Sequence, residues 1–315
     1  MSVSPALAGV PGPLAELHVH LEGSVEPETL VEIEPSLTRE EIDAATAYTD
    51  FLGFLKAFVW VNRFLQRPSD YARVARRLFE RLAAEGVTYA EVTLSVGVVL
   101  WKQQEFAPVF DALQREAARS PIAVRWIFDA IRQFGPEPAK QVFHLAAERV
   151  EEGVVAIGLG GDEARGPAAL FGDLFREARD KGLRLTCHAG EVAGADSVWQ
   201  ALRIGAERIG HGIRSMDDPK LVAHLAAEKI PLEVCITSNL RTGAVASLAD
   251  HPLKRLYDAG VPIILNTDDP ALFGCTLASE YELARTQFGF TDAQLAGLAQ
   301  KAFTYAFEER GAIGR

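Results

Sequence analysis

Short apolar runs alternate with amphipathic stretches along most of the chain. Eight runs, 15–21, 88–96, 123–132, 154–160, 184–189, 208–213, 231–237 and 262–267, are apolar at nearly every position rather than at every second one. A strand with one wet face alternates apolar and polar residues; a run without that alternation predicts a strand covered on both faces, as in a parallel sheet. Helical periodicity fills the gaps. Segment 69–85 sets Tyr71, Val74, Leu78 and Leu82 on one face, with Ser69 as cap and Gly86 just past its end. Segments 171–180, 197–202, 219–228 and 252–259 behave similarly. Eight such strands alternating with helices predict a (β/α)8 barrel. A doubly wound open sheet explains less, because polar motifs follow many of the strands rather than one switch point.

The interval between the first two strands is longer than a barrel unit needs. An insertion of about 25–68 is expected to be helical and to lie over the barrel mouth. Its aromatics, Phe51, Phe54, Phe58 and Trp60, have the spacing of ordinary helix packing. Their place after the first strand also suits a lid over an apolar substrate. Residues 1–13 are small and rich in Pro and Gly, so a flexible tail is expected, followed by a single domain over 14–315.

Composition narrows the function. A net charge of −11 over 315 residues argues against a nucleic-acid partner, which calls for a basic face. The three cysteines are widely spaced and form no C-x-x-C pair, which suits a reducing compartment, with the cytoplasm as the expected location. No apolar run has the length of a membrane span, so no membrane partner is expected.

Chemistry enters with His18 and His20, which point to the same side of a strand. His188 ends the fifth strand and Asp268 the eighth, and a barrel brings such ends to one mouth. Three imidazoles and a carboxylate suit Zn²⁺, with Fe²⁺ or Mn²⁺ able to replace it, in an open, catalytic kind of site rather than a closed Cys-rich one. Glu191, three residues after His188, is the candidate proton carrier. His211 ends the sixth strand within reach of a metal-activated water, and Asp269 is free to face a substrate. His144, His224 and His251 have no evident partners and read as structural or surface residues.

Leu17-His18-Val19-His20-Leu21-Glu22-Gly23-Ser24, Gly161-Asp162-Glu163, His188-Ala189-Gly190-Glu191, Gly210-His211-Gly212, Leu232-Glu233-Val234-Cys235 with Ser238-Asn239, and Asn266-Thr267-Asp268-Asp269-Pro270 occur in that order. Together they resemble the adenosine deaminase family, over about residues 14–305. The resemblance implies one Zn²⁺ per chain held by His18, His20, His188 and Asp268. His211 and Asp268 then orient the attacking water and take its proton. Glu191 protonates N1 of a 6-aminopurine, Asp269 holds N7, and the Gly161 N–H holds N3. Ammonia leaves and a 6-oxopurine remains; the partner is a small purine nucleoside.

The chain departs from the family pattern at Glu22. Adenosine deaminases usually place Asp there, on the ribose 5′-hydroxyl, whereas Glu is similar to the adenine deaminase branch. Gly161-Asp162-Glu163 is similar to the nucleoside-using branches. Segment 128–135 resembles a third branch, acting on 6-amino-6-deoxyfutalosine, an adenosine derivative of menaquinone synthesis. That substrate needs an apolar slot, to which Phe54 and Phe58 are assigned, and a cation, Arg63 or Arg132. Adenosine and 5′-modified adenosines are therefore rival substrates, with adenine as the alternative. Metal-assisted hydrolysis of phosphoesters or amides predicts a second metal, and the end of strand four offers no bridging Lys. A purine-binding relative without catalysis predicts a broken set of ligands, and every expected position is filled.

Overall fold

The computed structural model describes residues 12–307. Nearly all of the expected tail 1–13, and the last residues of the expected domain, lie outside them. Eight strands follow in chain order: β1 Leu14–His20, β2 Val87–Leu94, β3 Ala123–Ile131, β4 Val154–Gly160, β5 Arg184–Ala189, β6 Arg208–His211, β7 Leu232–Val234 and β8 Ile263–Leu265. Each pairs in parallel with the next. The seam between β8 and β1 is drawn together by two backbone bonds, His20 N–H to Asp268 O at 2.8 Å and Asp268 N–H to His18 O at 2.9 Å. All seven residues of β1 are buried, as the lack of alternation predicts. The result is the expected (β/α)8 barrel.

Strands β2, β6, β7 and β8 end two or three residues sooner than their apolar runs. His211, the last residue of β6, adopts left-handed backbone, φ 61°, and the ladder stops there; Asp268, beyond the end of β8, does the same at φ 66°. Ile236 and Thr237, expected in a strand, instead open the helix Ile236–Arg241. The expected helix at 69–85 runs Pro68–Ala84. Its start is fixed by Pro68 at the first position and by the Asp70 carboxylate, which accepts the N–H groups of Gln66 and Arg67, rather than by Ser69.

The insertion contains helices Pro27–Ile33, Arg39–Ala45 and Phe51–Asn62. Asp50 caps the last by accepting the Gly53 N–H at 2.7 Å. That helix buries Phe54, Ala57, Val61 and Asn62, and Phe54 stacks on Phe273 at 4.9 Å, which fixes it over the ends of the barrel strands. At the opposite end the barrel is floored by Phe307, whose ring lies 3.7 Å from the Arg208 guanidinium. No helix of the described residues is long and apolar enough to cross a membrane.

Candidate active site

The C-terminal ends of the strands surround a cavity of about 380 Å³, in the range of small-molecule sites. His20, His188, Glu191, His211, Asp268 and Asp269 all line it. His18 sits just behind, its Nδ1 bonded to Glu233 Oε2 at 2.8 Å. Glu233 is held in turn by Arg208, buried between it and Glu91. Glycines let these groups converge. A Cβ on Gly210 would lie 2.9 Å from His18 Cε1, and one on Gly23 would overlap the Asp269 carboxylate at 1.7 Å.

The donors meet tightly. Asp268 Oδ1 lies 3.4 Å from His18 Nε2 and 3.3 Å from His20 Nε2, and His20 Nε2 lies 3.2 Å from His188 Nε2. His18 Nε2 is buried without a hydrogen-bond partner. With Nδ1 held by Glu233, His18 turns Nε2 towards the cluster, 3.4 Å from Asp268 Oδ1. Two overlapping sets of donor atoms lie within 4.8 Å of one another, His18, His188, His211 and Asp268 in one, His20, Asp268 and Asp269 in the other. An unpaired imidazole nitrogen facing other nitrogen and carboxylate donors fits a divalent cation.

Around this cluster the proton affinities diverge. Burial raises Glu191 well above the usual carboxyl range, and the charges of Asp268 and Glu163 add to the effect. Burial likewise raises Asp269, reinforced by Asp268 beside it. Asp268 goes the other way: burial would raise it, but the close approach of His18 and His20 outweighs that and holds it low. Its Oδ2 also accepts the Ser238 hydroxyl at 2.7 Å. The site thus sets two carboxyls of raised proton affinity beside one whose affinity is lowered.

His211 has its tautomer imposed. The Leu253 N–H donates to His251 Nδ1 at 3.2 Å, so the His251 proton is on Nε2, 3.2 Å from Asn239 Oδ1. The Asn239 amide must then turn its NH₂ towards His211 Nδ1, 3.1 Å away. Neutral His211 consequently carries its proton on Nε2, facing Glu191 Oε2 at 3.8 Å and Asp268 Oδ2 at 3.9 Å. Burial pushes its pKa down to about 4, which keeps it neutral. His251, expected to lack partners, is thus buried and bonded on both nitrogens.

Glu163 shapes the loop that carries Glu191. Its carboxylate accepts the N–H groups of Gly190, Glu191 and Val192 at 2.8–3.0 Å, and the Ser197 hydroxyl. Neither this role nor those of Glu233, Ser238 and Asn239 had been assigned from sequence, although all four stand inside motifs quoted above.

Gly161, Phe51, Phe54, Phe58 and Arg63 line the cavity. Three sequence expectations need correction. Arg132 does not face the cavity. Its buried guanidinium donates to the carbonyls of Leu159 and His188, near the ends of β4 and β5, and of Gly166 in the loop after β4, buried groups that need donors. Glu22 is also fully buried behind the wall, where its carboxylate accepts the Ser95 N–H at 3.1 Å. Trp60 packs edge-on against Phe64 at 5.0 Å and lies outside the cavity wall.

Residues 13–311 match the model of the adenosine deaminase family. An adenosine deaminase of Erwinia tasmaniensis is 36% identical, aligned over 96% of each chain. An aminodeoxyfutalosine deaminase of Streptomyces avermitilis is 38% identical over 96% of this chain and 87% of its own. Among solved structures, an adenine deaminase from Arthrobacter aurescens superposes with a TM-score of 0.87 at 31% identity, covering 94% of each chain. The barrel, the converging donors and these matches agree: the chain belongs to the adenosine deaminase family.

Proposed function

We propose that this chain hydrolytically deaminates a 6-aminopurine nucleoside to the 6-oxopurine and ammonia, with one Zn²⁺ held by His18, His20, His188 and Asp268. The observation that carries this reading is geometric: the Nε2 atoms of His18 and His20 lie 3.4 and 3.3 Å from Asp268 Oδ1, His188 Nε2 lies 3.2 Å from His20 Nε2, and Glu191 and His211 stand on the same cavity wall. When bound, the metal supplies Lewis acidity and lowers the pKa of a water. The chain supplies the rest. His211 orients the attacking oxygen through its Nε2–H. Asp268 takes the proton of the water as that oxygen adds to C6. Glu191 delivers its proton to N1, so that C6 becomes tetrahedral. Asp268 then gives its proton to the amino group, the C6–N bond breaks and ammonia departs, and the second proton of the water leaves the added oxygen and restores that of Glu191, giving the 6-oxopurine. Asp269, itself protonated, donates to N7, and the Gly161 N–H donates to N3.

Residues 25–68 serve as the lid. A 5′-extended adenosine is the second reading within this function. The cavity continues between Phe51, Phe58, Val98 and Trp101, with the exposed side chain of Arg63 at its edge, which suits an apolar 5′ group with an anionic end. A spectrophotometric assay over adenosine, adenine and aminodeoxyfutalosine tests both. The expected result is turnover of at least one nucleoside well above that of adenine. Turnover of adenine alone would leave the deaminase and remove the nucleoside.

A further inference from the structure

Asp129, on β3, lines the cavity and is 2% exposed, yet its Oδ1 has no hydrogen-bond partner. An unpaired buried carboxylate oxygen is costly and calls for an explanation. The neighbouring cation does not answer it: Arg132 donates through its two NH₂ groups to backbone carbonyls, and although its Nε is left without a partner, no hydrogen bond joins it to Asp129. The chain also makes room for this carboxylate. A Cβ on Gly158 would lie 2.7 Å from Oδ1 and one on Gly160 2.8 Å from Oδ2, so glycine at both positions of β4 leaves the space open.

Its place on the rim says what it meets. Glu191 follows β5, His211 ends β6 and Asp269 follows β8, so the reacting edge of the purine faces that half of the barrel. With N3 at Gly161 after β4 and N7 at Asp269, the remaining side of the ring, where N9 carries its substituent, faces the ends of β2 and β3. Asp129 stands there. So does Asn62, whose Oδ1 is also buried, unpaired and in the cavity wall, its amide donating to the Phe58 carbonyl at 3.0 Å. Both groups present acceptors. A free base brings one donor to that side, its N9–H; a sugar brings hydroxyls.

We propose that Asp129 is a specificity-determining residue whose carboxylate accepts a hydrogen bond from a sugar hydroxyl of the substrate, in place of Glu22, which is turned onto Ser95. The assignment rests on the nucleoside reading above. It predicts selection for nucleosides over bases, because a site built to bond a hydroxyl rejects ligands that lack it.

The test compares the wild-type enzyme with Asp129→Ala and Asp129→Asn on adenosine, its 2′-, 3′- and 5′-deoxy analogues, and adenine. Metal content and thermal midpoint are measured for each protein. On adenosine, Asp129→Ala should lose about 10- to 100-fold in kcat/KM, the size of a hydrogen bond to a charged group, with most of the change in KM. One deoxy analogue should be a correspondingly poor substrate for the wild type, and on it the substitution should cost less than about threefold. Asp129→Asn has the same shape and serves should the alanine variant not fold; it should show the same selective loss, smaller in size. Equal losses on every substrate, or none on adenosine, overturn the assignment. Adenine as the sole substrate of the wild type overturns it too, yet leaves the deaminase reading standing. Inactivity of the wild type on every purine removes both.

Discussion

Which nitrogen of His211 holds the proton is decided at the Leu253 amide, through His251 and Asn239. The consequence is a division of labour, in which His211 donates to the attacking oxygen and Asp268 accepts its proton. His251→Leu removes the donor to Asn239, frees that amide to flip, and lets His211 adopt the other tautomer. A fall in kcat of about 10-fold with little change in KM is expected, in line with other outer-shell partners. His251→Gln keeps an N–H for Asn239 and should recover most of the rate. If both variants lose equally, packing rather than tautomer control explains His251. Glu191 permits a sharper test. Glu191→Gln keeps the shape and removes the proton, so kcat should fall about 100- to 10,000-fold while metal content and inosine binding persist. Unchanged turnover would refute its role.

The short helix Ile236–Arg241 carries two of the groups that act on the site, Ser238 on Asp268 and Asn239 on His211. It is held from the next layer by Glu280, which accepts the N–H groups of Ile236 and Thr237 and the Thr237 hydroxyl. Burial raises Glu280 from 4.5 to about 7. Between those values the folded chain holds a proton that the unfolded chain has released, so this group lowers stability as pH rises from about 4.5 to about 7. Glu280→Gln keeps acceptors for the helix and does not titrate. Its thermal midpoint should therefore drop less than that of the wild type between pH 5 and pH 8; parallel curves would show that Glu280 does not titrate in that window. Little of this arrangement was legible in the sequence. The His18/His20 pair was, because strand alternation fixes where both point, and so was the barrel, because its strands lack a wet face. The end of β7 was not, since Ile236 and Thr237 suit a strand by type, yet they open a helix whose first N–H groups are received by Glu280, a residue distant in sequence. Arg132 and Glu22 were misread for a related reason. Both follow strands at the mouth, and sequence does not tell whether a charge there faces the cavity or serves backbone groups left unpaired by the end of a ladder.

Across the whole barrel one line of buried charge joins floor to mouth: Phe307 against Arg208, Arg208 on Glu91 and Glu233, Glu233 on His18, and His18 towards the other donors. Arg208→Met would leave two buried carboxylates without their cation, at a cost of about 3–5 kcal/mol, and would loosen His18 as well. Metal removal attacks the same line from its upper end. Without a cation, His18 Nε2 is buried with no hydrogen-bond partner, and the His20 and His188 nitrogens face one another. A bound ion resolves both conflicts in the folded state alone, and so stabilises it by about 2.7 kcal/mol at a hundredfold excess over Kd. Dialysis against a chelator should therefore lower the thermal midpoint by several degrees and abolish deamination. Zn²⁺ should restore both, and should do so poorly in Glu233→Gln, where His18 loses the carboxylate that orients it. A midpoint that stays fixed while the metal content falls to zero would mean that these side chains converge for some purpose other than holding an ion.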